Sequence, residues 1–230
     1  MDIDFKSFFK SYEDIVAAVE SVFANIQKKH ADCVKCKVGC ADCCHALFDL
    51  TMIEAIYINY HFNRIFKDEE KNRLLEKANQ ADRKTYKIKR NAHKDFEQGK
   101  HETEILNEMA LQRVRCPLLD NENRCELYHF RPITCRLYGI PTSIAGKGHT
   151  CGLSGFVEGQ SYPTVNIDAI HQRLYAISAE LVATITSKYV KLAEMLVPLS
   201  MALLTEYDET YLGIRPTNMP EDPNKGENNG

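Results

Sequence analysis

The residues with the clearest capacity for chemistry are cysteines, and five of the nine fall within the twelve residues from Cys33 to Cys44, CVKCKVGCADCC. His45 follows directly and is a candidate alternate ligand. Thiols spaced this closely are poorly placed to form disulfides with one another. Short loops, however, can bring several sulfurs to about 2.3 Å from a common metal at small entropic cost. The spacing therefore predicts a metal-binding site.

A second cysteine region contains Cys116, Cys125 and Cys135, with Cys151 after a glycine-rich loop. The 71 residues between Cys44 and Cys116 exceed the nine between Cys125 and Cys135 by three doublings of length. At about 0.6 kcal/mol per doubling, the longer loop costs only about 2 kcal/mol more to close. Structural zinc binding contributes on the order of 10–16 kcal/mol. We therefore predict that both regions build one composite metal centre.

Spacing alone leaves several chemical interpretations open. A thiol redox pair fits the C-x-x-C spacings at Cys33 and Cys40 but lacks the βαβ pattern that usually accompanies it. The spacing Cys36-x3-Cys40-x2-Cys43 also matches radical S-adenosylmethionine enzymes, although the strand-first context of those enzymes is missing. Zinc and an iron–sulfur cluster both use four thiolates. The adjacent side chains of Cys43 and Cys44 are expected to diverge, so that they face different sites or one remains free.

Arginines surround the second cysteine region, and Arg131 and Arg136 bracket Cys135 most closely. Four thiolates around zinc, or around a cluster with a 2+ core, leave a net charge of about −2, which guanidinium groups offset. We predict that Arg131 and Arg136 lie next to the metal ligands.

Helical periodicity dominates the rest of the chain. Apolar residues recur at i, i+3, i+4 and i+7, and Thr51 with Glu54 forms a capping box. Pro132 suits the first turn of a helix that carries Cys135. We expect one long helix from Asn166 to about Leu196, kinked or ended by Pro198. The other predicted helices cover residues 4–29, 52–66, 68–99, 102–113 and 166–207.

These elements predict a mostly α fold, a helical frame around irregular cysteine-rich metal-binding loops. We expect a single domain over residues 1–215, with the cysteine region 33–151 framed by the helix 4–29 and helices within 166–207. The composition of residues 216–230 is typical of a disordered tail.

Composition and charge exclude some classes of function. The net charge of −3 gives no general attraction to nucleic acid or anionic membranes, so neither is an expected partner. Four cations on one predicted helical face (Arg83, Lys87, Arg90 and Lys94) are interpreted as a solvated surface. The acidic N-terminus is unlike a signal peptide, and no apolar run approaches the roughly 20 residues that a membrane span needs. We expect a cytoplasmic protein, in which clustered cysteines favour metal binding over disulfides.

Taken in order, three motifs resemble a known family: Cys36-x3-Cys40-x2-Cys43-Cys44, then Cys116-Pro117-x-Leu119, then Cys125-x-x-Tyr128-x-x-Arg131-Pro132-x-x-Cys135-Arg136. The chain resembles the YkgJ-type cysteine-cluster family, a zinc- or iron-chelating domain shared with flagellin lysine N-methylases. The resemblance covers residues 33–151. It implies chelation through Cys36, Cys40, Cys43, Cys44, Cys116, Cys125 and Cys135, with Cys33 and Cys151 less secure at the edges.

The leading prediction is a metal-binding protein that holds an iron–sulfur cluster, slightly favoured, or zinc. The resemblance implies an alternative, an S-adenosylmethionine-dependent protein lysine N-methyltransferase of the flagellin-methylase type. Against it, no G-x-G-x-x-G loop follows a predicted strand. A protein partner or substrate is compatible with either prediction. A third class is an interaction module that the metal folds and that catalyses no reaction.

Overall fold

The computed structural model describes residues 4–214. Helices account for most of its regular structure, which confirms the predicted mostly α fold. The predicted disordered tail, residues 216–230, lies outside the described residues. The helices are α1 (Lys6–Lys29), α2 (Met52–Ile65), α3 (Asp68–Glu97), α4 (Glu102–Ala110), α5 (Ile133–Leu137), α6 (Ile167–Thr184) and α7 (Leu199–Leu204).

The strands are short and sit between the helices. Strands β1 and β5 pair antiparallel, whereas β2 pairs antiparallel with β3 and parallel with β4. The pairing of β1 with β5 joins the segment after the first cysteine region to the start of α7. The strands are β1 (Asp49–Leu50), β2 (Thr142–Ile144), β3 (Lys147–His149), β4 (Val165–Asn166) and β5 (Val197–Pro198).

Helix α1 is amphipathic, as its periodicity predicts. Phe8, Tyr12, Ile15 and Val19 are buried at helical spacing, while the charged residues of the helix face solvent. Lys28 and Lys29 lie in its last turn, where the helix dipole favours positive charge. The buried stripe packs α1 against α2, α5 and α6, so that α1 supports the helix that carries Cys135.

Helix α2 is the central helix of the core. The capping box predicted from Thr51 and Glu54 is present, and the Thr51 backbone N–H donates to Glu54 Oε2 at 3.2 Å. Ile53, Ile58 and Phe62 are fully buried, and α2 packs against α1, α6 and α7. Because α2 is enclosed by other helices, it fixes the position of every group at its N-terminus, Glu54 included.

Helix α6 ends earlier than the sequence predicted. We expected one helix from Asn166 to about Leu196, but α6 stops at Thr184. The Thr186 N–H donates to the Ala183 carbonyl at 3.0 Å and the Ser187 N–H to the Val182 carbonyl at 3.2 Å, the hydrogen-bond pattern of a Schellman motif. Thr186 adopts a positive φ of 49° at the position where glycine normally ends a helix. The sequence lacks that glycine, which is why the periodicity was misleading.

We predict that Thr186→Gly stabilises the protein by about 1 kcal/mol, because glycine adopts a positive φ without steric cost. Thr184→Gly is the matched control: Thr184 has helical geometry in α6, so glycine there should destabilise by about 0.5 kcal/mol. Urea unfolding of the two variants beside the parent measures both values. Equal effects at the two positions would contradict the motif.

The remaining helices follow the predicted segments. Helix α3 ends two residues before the predicted 68–99 segment, and α4 is shorter than the predicted 102–113. None of the helices within residues 4–214 is long and apolar enough to cross a lipid bilayer.

Candidate metal centre

Backbone pairing joins the two cysteine regions directly. The Cys116 N–H donates to the Cys44 carbonyl at 2.7 Å, and the Val114 N–H donates to the His45 carbonyl at 3.0 Å. Ala46 and Arg113 form an antiparallel bridge next to these bonds. The segment that follows the first cysteine cluster therefore lies beside the segment that leads into the second.

A tight turn brings Cys125 back towards Cys116. Residues 120–123 form a turn, and Leu119 and Cys125 form an antiparallel bridge across it. Asp120 Oδ1 accepts from the backbone N–H groups of Glu122 and Arg124 at 2.8 and 2.7 Å, the local bonding that favours aspartate in turns.

Cys135 is positioned by a buried carboxylate. Helix α5 begins at Ile133, directly after Pro132 rather than with it, and the Ile133 N–H donates to Glu54 Oε1 at 3.0 Å. Glu54 is 3% exposed. One side chain therefore joins the start of α2 to the start of the helix that carries Cys135.

A polar network positions the remaining thiols. Asp42 Oδ2 accepts from the Tyr138 hydroxyl at 3.0 Å and from the Cys151 thiol at 3.5 Å. Arg113 forms an ion pair with the same carboxylate. The Cys36 thiol donates to the Tyr138 carbonyl at 3.4 Å. This network connects residues that are more than 100 positions apart in the chain.

Eight cysteines from both regions line one cavity of about 690 Å³. Exposed residues, among them Lys37, Val38 and Tyr128, lie at its mouth. Cys33 is absent from the lining, and its backbone carbonyl accepts from the Gly155 N–H at 2.7 Å. The lining cysteines are Cys36, Cys40, Cys43, Cys44, Cys116, Cys125, Cys135 and Cys151.

The lining thiols form two groups by their mutual interactions. The inner group interacts electrostatically around Cys43, whose thiol interacts most strongly with those of Cys135 and Cys44. Cys43 and Cys44 lie in one 3₁₀ turn and interact with each other, and the expectation that they face different sites stays a prediction. We call Cys43, Cys44, Cys116, Cys125 and Cys135 the inner group and Cys36, Cys40 and Cys151 the outer group.

The thiols stand around the cavity wall rather than at one point. Within residues 4–214, no group of three or more His, Cys, Asp or Glu side chains is already arranged to hold a single metal ion. In a tetrahedral zinc site, by contrast, any two sulfur ligands are ~3.8 Å apart because both bind the same ion.

The inner group shows opposing electrostatic effects. Hydrogen bonding from the thiols of Cys135 and Cys44 lowers the pKa of Cys43, and the same bonds raise the pKa of Cys44 and Cys135. Burial raises the pKa of Cys116 to about 12 and also raises that of Cys125. Without a nearby cation, most of these thiols keep their protons at neutral pH. A bound metal reverses that preference, because it stabilises the thiolate.

The arginines of the second region contact the site in different ways. The charge of Arg131 favours the Cys125 thiolate, and that of Arg115, which we did not single out, favours the Cys116 thiolate. Arg136 is 5% exposed and donates to the carbonyls of Arg131 and His129. Glu20 forms ion pairs with both Arg131 and Arg136. Both predicted arginines line the cavity, and α1 supplies their counter-charge.

His45 lies outside the cavity lining. Its Nδ1 atom donates to the Ala41 carbonyl at 3.0 Å, and the ring belongs to the 3₁₀ turn that follows Cys43. His45 therefore stabilises the 3₁₀ turn, and the donor atoms available to a metal are the sulfurs of the cysteines.

Several residues that build the site escaped the sequence analysis. Asp42 and Tyr138 meet Arg113, one of the arginines that flank the second cysteine region, only in three dimensions, so no local spacing marks them. Glu54 carried a signal as part of the capping box, but its bond to Ile133 is a tertiary contact. Glu20 is one of several charged residues on α1, and nothing in the sequence distinguishes it.

Gly139 is a further residue of the site, and its substitution gives a testable prediction. Its φ is +105°, and a Cβ atom there would overlap the Cys36 sulfur. Gly139→Ala should therefore push the Cys36 thiol out of place and destabilise the fold by about 1–3 kcal/mol. Gly146→Ala is the matched control, since Gly146 has a φ of +73° but nothing within 4 Å of the added carbon.

The measurement is the rate at which Cys36 is alkylated, followed by peptide mass spectrometry in both glycine variants. We expect a changed rate for Cys36 in Gly139→Ala and the parent rate in Gly146→Ala. Identical rates would show that the alanine Cβ does not reach Cys36.

Comparison with known protein families identifies a match to this chain. The model of the CxxCxxCC family, described as a "Putative zinc- or iron-chelating domain", matches residues 35–152, more than half of the 230. The matched range contains every cavity-lining cysteine and excludes α1, α6 and α7. No curated protein and no solved structure matches the chain significantly.

Proposed function

The chain belongs to the CxxCxxCC family of zinc- or iron-chelating domains, and we propose that it holds an iron–sulfur cluster in the cavity formed by its two cysteine regions. The observation that carries the proposal is the convergence of eight thiols on one cavity of about 690 Å³. Soft thiolates are the ligands of iron–sulfur clusters and of zinc. The donor chemistry of the cavity therefore fits either metal, and the finer choice rests on how the thiols are distributed.

The distribution of the sulfurs favours a cluster over a single ion. A cluster takes its thiolates on different iron atoms, so its cysteines surround a volume. Zinc requires four ligands around one point. The eight lining thiols come from several segments, including the 3₁₀ turn, the 120–124 turn and α5, and they exceed the four ligands of one zinc ion.

We assign the ligand role to Cys43, Cys116, Cys125 and Cys135. Cys43 is in contact with Cys135 and interacts electrostatically with both Cys116 and Cys125. Arg115 and Arg131 would offset the negative charge of four thiolates. Cys44 lies beside Cys43, and the outer group lies nearer the polar network of Asp42. When bound, the cluster would supply one-electron redox chemistry or a Lewis-acidic iron.

Purification without oxygen, followed by elemental analysis and a visible spectrum, tests the proposal. We expect a brown protein with thiolate-to-iron absorption and with iron and sulfide in equal amounts. A colourless protein with stoichiometric zinc would overturn the cluster and leave the family's other metal. A protein free of both metals after reconstitution would overturn the metal centre itself.

Methyl transfer to protein lysines stays a prediction from the resemblance. Calorimetry with S-adenosylmethionine and the metal-loaded protein tests it separately, and the absence of binding heat would remove it.

A further inference from the structure

The cavity extends beyond the thiols into an apolar compartment. Ala46 and Leu47, which follow the first cysteine region, also line it. Beyond them the wall comes from α2, α3, α7 and the segment before β1. We use the name apolar compartment for the part lined by Phe48, Ile58, Ala81, Thr85 and Leu199.

The apolar compartment contains one polar side chain without a partner. Thr85 is 5% exposed, and no residue of the described range 4–214 forms a hydrogen bond with its hydroxyl. Other buried polar side chains are satisfied: Ser178 donates to the Leu174 carbonyl at 2.9 Å, and Asn59 donates to the Ala202 carbonyl at 2.9 Å. Buried polar groups nearly always have partners, so an exception requires an explanation.

The Thr85 hydroxyl can be reached from the cavity. Within residues 4–214, two side-chain polar atoms lack a hydrogen-bond partner and are also inaccessible to solvent. They are the hydroxyls of Tyr12 and Tyr207. The Thr85 hydroxyl oxygen also lacks a hydrogen-bond partner, but it is not among these inaccessible atoms. Thr85 lines the cavity. The nearby Ser200 hydroxyl already donates to Asp82 at 3.1 Å. Thr85 therefore provides the free hydrogen-bonding group of the compartment.

We propose that the apolar compartment binds a small, mostly apolar organic molecule whose single polar group is held by the Thr85 hydroxyl. The whole cavity, of which the apolar compartment is one part, has a volume of about 690 Å³. That volume lies within the range of small-molecule sites, roughly 300–1,000 Å³, which combine apolar walls with few polar groups. A molecule in this position lies next to the inner thiols. That this molecule lies near a metal rests on the proposed function, whereas its binding in the apolar compartment does not.

Fluorescence titration with two naphthalene probes tests the site. The chain has no tryptophan, so probe emission is measured against a low background. The probes are 2-naphthalenemethanol and 2-methylnaphthalene, which share an apolar body and differ in one hydroxyl. We expect saturable binding of both probes to the full chain and tighter binding of the alcohol. Metal content is measured on each sample, so that loss of metal is distinguished from loss of the compartment.

Two substitutions separate the polar and apolar contributions. Thr85→Val, which keeps the side-chain shape, should weaken the alcohol about fivefold and leave the hydrocarbon unchanged, because one hydrogen bond is lost. Ala81→Leu should weaken both probes at least tenfold by filling the compartment. Thr103→Val is the control, since Thr103 is exposed on α4 and should change neither affinity.

Two results would overturn the proposal. One is the absence of saturable binding of either probe to folded, metal-loaded protein. The other is an unchanged preference for the alcohol in Thr85→Val, which would show that the hydroxyl of Thr85 does not face a ligand.

Discussion

Replacing Cys43 with serine is expected to lower the affinity for the bound metal more than a hundredfold. Cys43 interacts electrostatically with the thiols of Cys44, Cys116, Cys125 and Cys135, so every other member of the inner group interacts with it. Structural zinc sites contribute on the order of 10–16 kcal/mol through four ligands. Loss of one ligand therefore costs about 3 kcal/mol, which is more than two factors of ten in affinity. Iron and zinc content after dialysis against a chelator measures the effect.

Cys33→Ser is the matched control for Cys43→Ser. Cys33 belongs to the same cysteine-rich segment, but its side chain does not line the cavity. We expect this variant to keep the metal content of the parent. Equal losses from the two variants would place Cys33 among the ligands and contradict the division between lining and non-lining thiols.

The helical frame could be predicted because its signals are local. Apolar spacing fixed the extent of α1 to within two residues, and the capping box located the start of α2. The end of α6 could not be predicted, because Thr186 adopts a left-handed conformation that threonine disfavours. The next two residues, Ser187 and Lys188, are hydrogen-bonded to the distant carbonyls of Leu212 and Gly213. Local rules fail where a residue is held in an unfavourable conformation by its surroundings.

In the candidate site, too, the local features were predicted and the tertiary contacts were not. The clustering of thiols predicted a composite centre, and both cysteine regions do line one cavity. The residues that hold those regions in place, such as Glu54, Asp42 and Gly139, were not predicted. Each of them acts through a contact with a distant segment, and such contacts leave no periodic pattern in a single sequence.

Glu54→Ala is expected to destabilise the protein by about 2–5 kcal/mol. Its carboxylate accepts from the backbone N–H groups of Thr51 and Ile133, and its removal leaves both without that partner at a buried site. Each unsatisfied buried group costs about 1–3 kcal/mol. Because Ile133 begins α5, Cys135 should also become more mobile, and metal content should fall.

Urea unfolding measures the stability change for Glu54→Ala, with Glu13→Ala as the control. Glu13 also accepts a hydrogen bond, from the Tyr57 hydroxyl at 3.1 Å, but it is exposed. Its removal should cost less than about 1 kcal/mol. Similar costs for the two glutamates would mean that Glu54 does not join α2 to α5.

Glu54→Gln is expected to change how the free energy of unfolding depends on pH, because it removes a titrating carboxyl group. Burial raises the pKa of Glu54 above its ordinary value of 4.5, despite hydrogen bonds from Ile133 and Thr51. The folded protein therefore holds this proton more tightly than the unfolded chain does. The resulting stability is fully present below pH 4.5 and is lost as the pH rises through the folded pKa. Glutamine does not titrate, so the variant lacks this loss.

The free energy of unfolding of the parent should therefore fall relative to that of Glu54→Gln as the pH rises from about 4.5. Both proteins are measured without metal. The titration of their thiols then contributes equally to both free energies of unfolding and cancels in the difference. Urea unfolding at several pH values measures that difference. A difference that stays constant with pH, or that grows in favour of the parent, would mean that hydrogen bonds stabilise the Glu54 carboxylate more than burial penalises it.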